Sequence, residues 1–131
     1  MVPLCILVVD DSCLWRQSVC SLLQQHLDRV VICESSDGLE AVQKSQELQP
    51  DLILLDICLP NLNGLEAARL IRTLAPRSKI LFLTSYDWSE LSHEAMNTGA
   101  LGLIVKSKAA RDLLPAISTI LRDEQFFGRG C

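Results

Sequence analysis

The stretch Leu4-Cys5-Ile6-Leu7-Val8-Val9-Asp10-Asp11-Ser12 is an unbroken apolar run stopped by two carboxylates. A continuous run, rather than an alternation, is what a strand covered on both faces of a parallel sheet requires. The period then changes. From Ser12 to about Leu27, apolar residues recur at Trp15, Val19, Leu22, Leu23 and Leu27, while Arg16, Gln17, Gln24 and Gln25 take the other side. That spacing predicts an amphipathic helix, capped by Asp11 or Ser12. Buried strand followed by helix is thus the unit at the start of the chain.

The rest of the sequence repeats it. Val30 to Cys33 reads as strand two, and Ser35-Ser36-Asp37-Gly38 turns into a helix carrying Leu39, Val42 and Leu48 that Pro50 closes. Asp51 to Asp56 is strand three, with Pro60, Asn61, Asn63 and Gly64 building the loop behind it. Helix three spans about Leu65 to Leu74. Lys79 to Thr84 is strand four, Ser89 to Thr98 helix four, ended by Gly99, and Leu101 to Lys106 strand five. Pro115 belongs in a first helical turn, so helix five is predicted to begin near Arg111 and run to about Asp123. Phe126 to Cys131 is too short and Gly-rich for another element. Strict alternation with right-handed crossovers predicts an α/β fold: a flavodoxin-like (βα)5 three-layer sandwich around a parallel five-stranded sheet of order 2-1-3-4-5. Residues 1–124 form one domain, and 125–131 a tail or the start of a linker.

Composition narrows the function classes. At 131 residues the chain buries roughly two-thirds of its unfolded surface on folding, enough for its own core. With 49% hydrophobic and 21% charged residues it is too apolar for disorder, and no apolar run reaches the ~18 residues of a membrane span. The start Met-Val-Pro-Leu-Cys has no basic region, so the expectation is a cytoplasmic protein without a signal peptide or membrane contact. A net charge of −4 and no Lys/Arg cluster argue against direct nucleic-acid binding by this chain. The six cysteines contain no C-x-x-C pair and are expected to be reduced, buried thiols, and His26 and His93 are expected on helix surfaces.

In a parallel sheet of this kind, ligands sit beyond the carboxyl ends of the strands, at the switch between strands one and three. Strand one ends in Asp10-Asp11, strand three in Asp56, strand four in Thr84-Ser85 and strand five in Lys106. Each residue alone has a structural reading as a cap, turn, strand end or solvated charge. Their convergence is the signal. Three close carboxylates need a raised pKa or a bound cation. With no histidine at these ends, a hard cation that keeps waters and phosphate oxygens fits best, which is Mg²⁺. That combination points to phosphoryl transfer onto a carboxylate. Asp56 is the natural acceptor, Lys106 neutralises the phosphoryl oxygens and Thr84 donates a hydrogen bond to them. P-loop and dinucleotide-binding motifs are absent.

These residues resemble the receiver domain of two-component response regulators over nearly the whole chain. Val8-Val9-Asp10-Asp11-Ser12 is similar to its acidic pair, and Glu34 to Ala41 to its second-strand turn. Asp56-Ile57-Cys58-Leu59-Pro60-Asn61-Leu62-Asn63-Gly64 is similar to its phosphoacceptor loop, followed by Thr84 and by Gly99-Ala100 leading to Lys106. The resemblance implies that Asp56 takes a phosphoryl group from a sensor histidine kinase. It implies a Mg²⁺ ion held by Asp11, Asp56 and the Cys58 backbone carbonyl, with Asp10 acting through water. Thr84 and Leu103 would be switch positions, and the output face would be helix four, strand five and helix five, which also offers a possible homodimer surface. Leu103 stands where the family often has an aromatic residue, and Ser107 where proline commonly follows the lysine. Cys58 and Tyr86 stand at the two positions that tune phosphoryl lifetime. Arg122 to Gly130 resembles the start of the linker in LuxR-type transcriptional regulators, whose DNA-binding domain would follow. The implied protein is a signalling switch and not an enzyme beyond its own phosphorylation and dephosphorylation. The alternatives are a phosphorylation-independent pseudo-receiver that binds partners, and a Mg²⁺-dependent hydrolase with an aspartyl nucleophile.

Overall fold

A computed structural model describes residues 2–85 and 89–127. Five strand–helix units follow one another: β1 (Leu4–Val9), α1 (Cys13–His26), β2 (Val30–Ser35), α2 (Gly38–Leu48), β3 (Leu52–Asp56), α3 (Gly64–Leu74), β4 (Lys79–Thr84), α4 (Ser89–Asn97), β5 (Gly102–Val105) and α5 (Ala109–Leu121). A single 3-10 turn, Lys106–Lys108, joins β5 to α5, and a short strand β6 (Phe126–Phe127) closes the described chain.

The sheet is parallel throughout and runs β2-β1-β3-β4-β5-β6. Period-two alternation along each strand supplies two separate cores. Leu7, Val9, Ile53, Leu55, Ile80, Phe82 and Leu103 meet α2, α3 and α4 on one face. Ile6, Val8, Leu52, Leu54, Leu81, Leu83 and Ile104 meet α1 and α5 on the other. Strands β1, β3 and β4 are apolar on both sides because both sides are covered.

The sixth strand corrects the expected count of five and takes residues 126–127 out of the tail. Phe126 donates its N–H to Leu101 O at 2.8 Å, and β6 pairs with Gly102 and Leu103 of β5. Alternation then sends the Phe126 ring to the α1/α5 layer and the Phe127 ring to the opposite layer. Gly102 makes the approach possible: a Cβ there would lie 2.6 Å from the Phe126 carbonyl oxygen. Two residues are too few to show a period in sequence.

Helix α5 also starts earlier than expected, at Ala109, with Pro115 well past its first turn. Pro115 lies on the exposed side, while Ala109, Leu113, Ala116, Ile117 and Ile120 bury the other face. Packing of that face outweighs the one backbone hydrogen bond that proline cannot make. The cysteines depart from expectation too. All five in the described chain are free, but Cys5, Cys20 and Cys33 are only partly buried, and Cys13 and Cys58 are exposed. His26 and His93 are exposed as expected. No cis peptide bond occurs among the described residues, so Lys106–Ser107 is trans.

Candidate functional site

Three strand ends and one turn converge at the carboxyl edge of the sheet. Strand β1 delivers Asp10, fully buried, with Asp11 exposed just beyond it, and β3 delivers Asp56, 4% exposed. Oxygen atoms from the three carboxylates all lie within 4.8 Å of one another. The Lys106 ammonium, carried in by the 3-10 turn after β5, sits 2.5 Å from Asp10 Oδ2 and 3.3 Å from Asp56 Oδ2. Asp10 Oδ2 has no other donor among the described residues.

Local structure holds each group. The Asp10 N–H donates to Ser35 O at 3.1 Å, its Oδ1 accepts the Ser12 N–H at 2.9 Å, and Ser12 Oγ caps α1 by accepting the Trp15 N–H at 3.2 Å. Ser12, rather than Asp11, is therefore the cap, which leaves the Asp11 carboxylate to the cluster. Behind Asp56 the loop folds tightly back: Cys58 N–H donates to Asp56 Oδ1 at 3.3 Å and Gly64 N–H to Ile57 O at 2.7 Å. A Cβ at Gly64 would lie 2.1 Å from the Asp56 carbonyl oxygen, so only glycine fits there.

Electrostatics follow from three clustered anions, two of which share one cation. Burial, and next the charge of Asp10, push the Asp56 carboxyl up to about 6; Lys106 and the Cys58 N–H pull against this. Burial pulls the Lys106 ammonium down, but its bond to Asp10 and the Asp56 and Asp10 charges outweigh that and leave it above its ordinary value. The Cys58 thiol is pushed up by desolvation and then by the Asp56 charge, which keeps it protonated beside the site.

The structure thus brings together Asp10, Asp11, Asp56 and Lys106. Thr84 is buried at the end of β4, one residue beyond the partner of Asp56 in the strand register. Leu103 does not join them: it is 4% exposed and packs in the core beneath α3 and α4. Tyr86 lies outside the described residues. Two neighbours went unread in the sequence. Trp15, taken only as part of the buried stripe of α1, lies under the Lys106 ammonium, 5.3 Å from ring centroid to Nζ. Arg16, placed on the solvent side of α1, reaches back to Asp10 O at 2.6 Å and to Glu34 Oε1 at 3.0 Å. Period alone separates inside from outside; it does not show where a long side chain turns back.

Residues 6–118 match the family of response regulator receiver domains. The chain belongs to this family. Its relatives include the transcriptional regulatory protein LnrK of Bacillus subtilis, 37% identical over 115 residues that cover 88% of this chain and 52% of LnrK. Another is the response regulator protein VraR of Staphylococcus aureus, 34% identical over 122 residues that cover 93% of this chain and 58% of VraR. The receiver domain therefore spans little more than half the length of these relatives. Among solved structures, it superimposes on a LuxR-family two-component response regulator from Aurantimonas sp. SI85-9A1 with a TM-score of 0.87 and 29% identity, covering 95% of this chain and 89% of that one. The response regulator domain of Thermotoga maritima CheB matches with a TM-score of 0.78 and 32% identity, covering 92% of this chain and 95% of that one. No helix among the described residues is long and apolar enough to cross a membrane.

Proposed function

We propose that this receiver domain is a phosphoryl-accepting switch, phosphorylated on Asp56 by a sensor histidine kinase in a Mg²⁺-dependent reaction. One observation carries the reading: carboxylate oxygens of Asp10, Asp11 and Asp56 lie within 4.8 Å of one another, and the Lys106 ammonium pairs with two of the three, Asp10 and Asp56. An Asp56 carboxylate oxygen attacks the phosphorus of a phosphohistidine, the P–N bond breaks, and the electron pair leaves with the imidazole. At pH 7 to 8 Asp56 is ionised, as a nucleophile must be. Lys106 then exchanges a carboxylate partner for phosphoryl oxygens, and Thr84 is near enough in the strand register to follow them.

The donor set suits a hard divalent cation, because it is all oxygen and, with Asp56 ionised, two positive charges short of balance. Asp11, Asp56 and the Cys58 carbonyl would hold Mg²⁺, with Asp10 contacting it through water. When bound, the ion supplies charge neutralisation for the transferred group. Output runs through the α4–β5–α5 face, through which the phosphorylated domain also pairs with a second copy. The domain acts in the cytoplasm on an attached DNA-binding domain of LuxR type, catalysing nothing but its own phosphorylation and dephosphorylation.

Intact-mass spectrometry after incubation with acetyl phosphate and Mg²⁺ tests this. The expected result is a gain of one phosphoryl group that disappears in Asp56→Asn and in excess chelator. A folded protein that gains no mass, and binds no beryllofluoride, would return the domain to the phosphorylation-independent reading.

A further inference from the structure

Lys106 is held less by its own chain than its position in the cluster suggests. It opens a 3-10 turn, the next residue is the exposed Ser107, and a cavity of about 340 Å³ lies between α1 and the start of α5. Trp15, Val19, Leu22, Ser107, Ala110 and Leu113 are among its walls. A lysine stem beside open space samples several rotamers unless something closes one side. Trp15 closes it. The ammonium stands 5.3 Å from the indole centroid, inside the range of roughly 6 Å over which a ring face attracts a cation.

The contact completes a closed circuit. Asp10 Oδ1 accepts from Ser12 N–H, Ser12 Oγ accepts from Trp15 N–H, the Trp15 face meets Lys106, and Lys106 returns to Asp10 Oδ2. The N-cap of α1 therefore sets the indole in register with the same aspartate that the lysine pairs with. The indole Nε1–H is buried with no hydrogen-bond partner among the described residues. No bond at its polar edge fixes the ring, so its orientation rests on apolar packing and on the ammonium above its face.

We infer that Trp15 is a positioning residue for phosphoryl transfer, its indole face holding the Lys106 ammonium between Asp10 and Asp56 where the incoming phosphoryl oxygens meet it. The inference rests on Asp56 being the acceptor and deepens that reading. A countercharge already in place needs no reorganisation at the moment of transfer. The group that Trp15 holds, Lys106, is not among the residues assigned to Mg²⁺, so the effect falls on the transfer step and leaves cation binding alone.

The test is the rate of phosphorylation by acetyl phosphate over a Mg²⁺ series. Trp15→Leu, which keeps apolar bulk and loses the ring face, is expected to slow transfer by about three- to tenfold at an unchanged half-saturating Mg²⁺ concentration. Trp15→Phe is expected to recover most of the rate. In a Lys106→Met background Trp15→Leu should have no further effect. The same loss in both backgrounds, Leu and Phe behaving alike, or Mg²⁺ affinity falling in parallel would each overturn the inference in favour of plain packing.

A second measurement stands apart from phosphorylation: the indole ¹H–¹⁵N signal of Trp15, identified by its loss in Trp15→Phe, should shift in Lys106→Met. An unmoved signal overturns the contact itself. A shifted signal in a protein that takes up no phosphoryl group would instead overturn the acceptor reading, and the role built on it, while the contact stands.

Discussion

The two ends of the β-sheet are built on opposite principles. At the amino edge, these polar groups each have a partner: Asp51 accepts the Cys5 N–H at 2.8 Å, Ser78 Oγ donates to Pro50 O at 2.5 Å, and Lys79 pairs with Asp123 at 3.0 Å and donates to Leu121 O at 3.1 Å. At the carboxyl edge three carboxylates cluster, and the two buried ones, Asp10 and Asp56, share one ammonium. The same strands run through both ends, so the fold does not impose the imbalance. On the function proposed above, a bound divalent cation would supply the positive charge that the chain itself leaves out.

The largest expected effect separates the edges directly. In chelator, Lys106→Met strands Asp10 and Asp56 without a countercharge and should cost about 3 kcal/mol of stability at pH 7.5, because removing one partner of a buried pair leaves an uncompensated charge. Lys79→Met removes a pair whose aspartate side chain is 78% exposed, and should cost about 1 kcal/mol or less. Urea unfolding of both variants measures this. Equal costs would mean that the carboxyl edge is no more strained than the amino edge.

Asp56→Asn comes next, with the opposite sign. The Asp56 carboxyl titrates at about 6 in the folded chain, against the ordinary 3.8 of a free aspartate, so the folded state binds the proton more tightly than the unfolded state does. The stabilisation from that proton is full below pH 3.8 and is lost as pH rises through 6, leaving ionised Asp56 a burden on the order of 1–3 kcal/mol at pH 8. The isosteric amide does not ionise. Without metal, Asp56→Asn should therefore be more stable than the parent chain at pH 8, and the advantage should shrink towards pH 4. A stability difference that stays flat with pH would remove Asp56 as the seat of the strain.

This contrast also explains what could be read from the sequence. Strands β1 and β4 have the bounds expected from sequence, because burial on both faces makes their interiors continuously apolar and leaves polar residues only at or beyond the ends. The strand-end carboxylates and Lys106 were legible for the same reason: a charge that terminates an apolar run is placed by topology at the sheet edge. What escaped depends on contacts that period does not encode. Phe126–Phe127 is a strand only because Gly102 admits it. Helix α5 tolerates Pro115 only because its other face is packed. Trp15 has the spacing of a core residue and the location of a ring beneath a lysine, and both are true of it.

The smallest effect concerns what fills the missing charge. Mg²⁺ that binds the folded chain alone stabilises it by about 1.4 kcal/mol at ten times its dissociation constant, and by little more at twice that concentration. If the carboxyl edge is the binding place, this gain should vanish in Asp11→Asn, where an exposed member of the cluster is neutralised, and persist in Asp51→Asn at the amino edge. The gain should also grow with pH between 5 and 8, because the proton on Asp56 competes with the cation for the same oxygens. Thermal unfolding over a Mg²⁺ and pH grid reads both trends. A Mg²⁺ response that Asp51→Asn abolishes and Asp11→Asn spares would reverse the assignment of the two edges. A response independent of pH would place the cation away from Asp56, since protonation removes the carboxylate charge that would bind it.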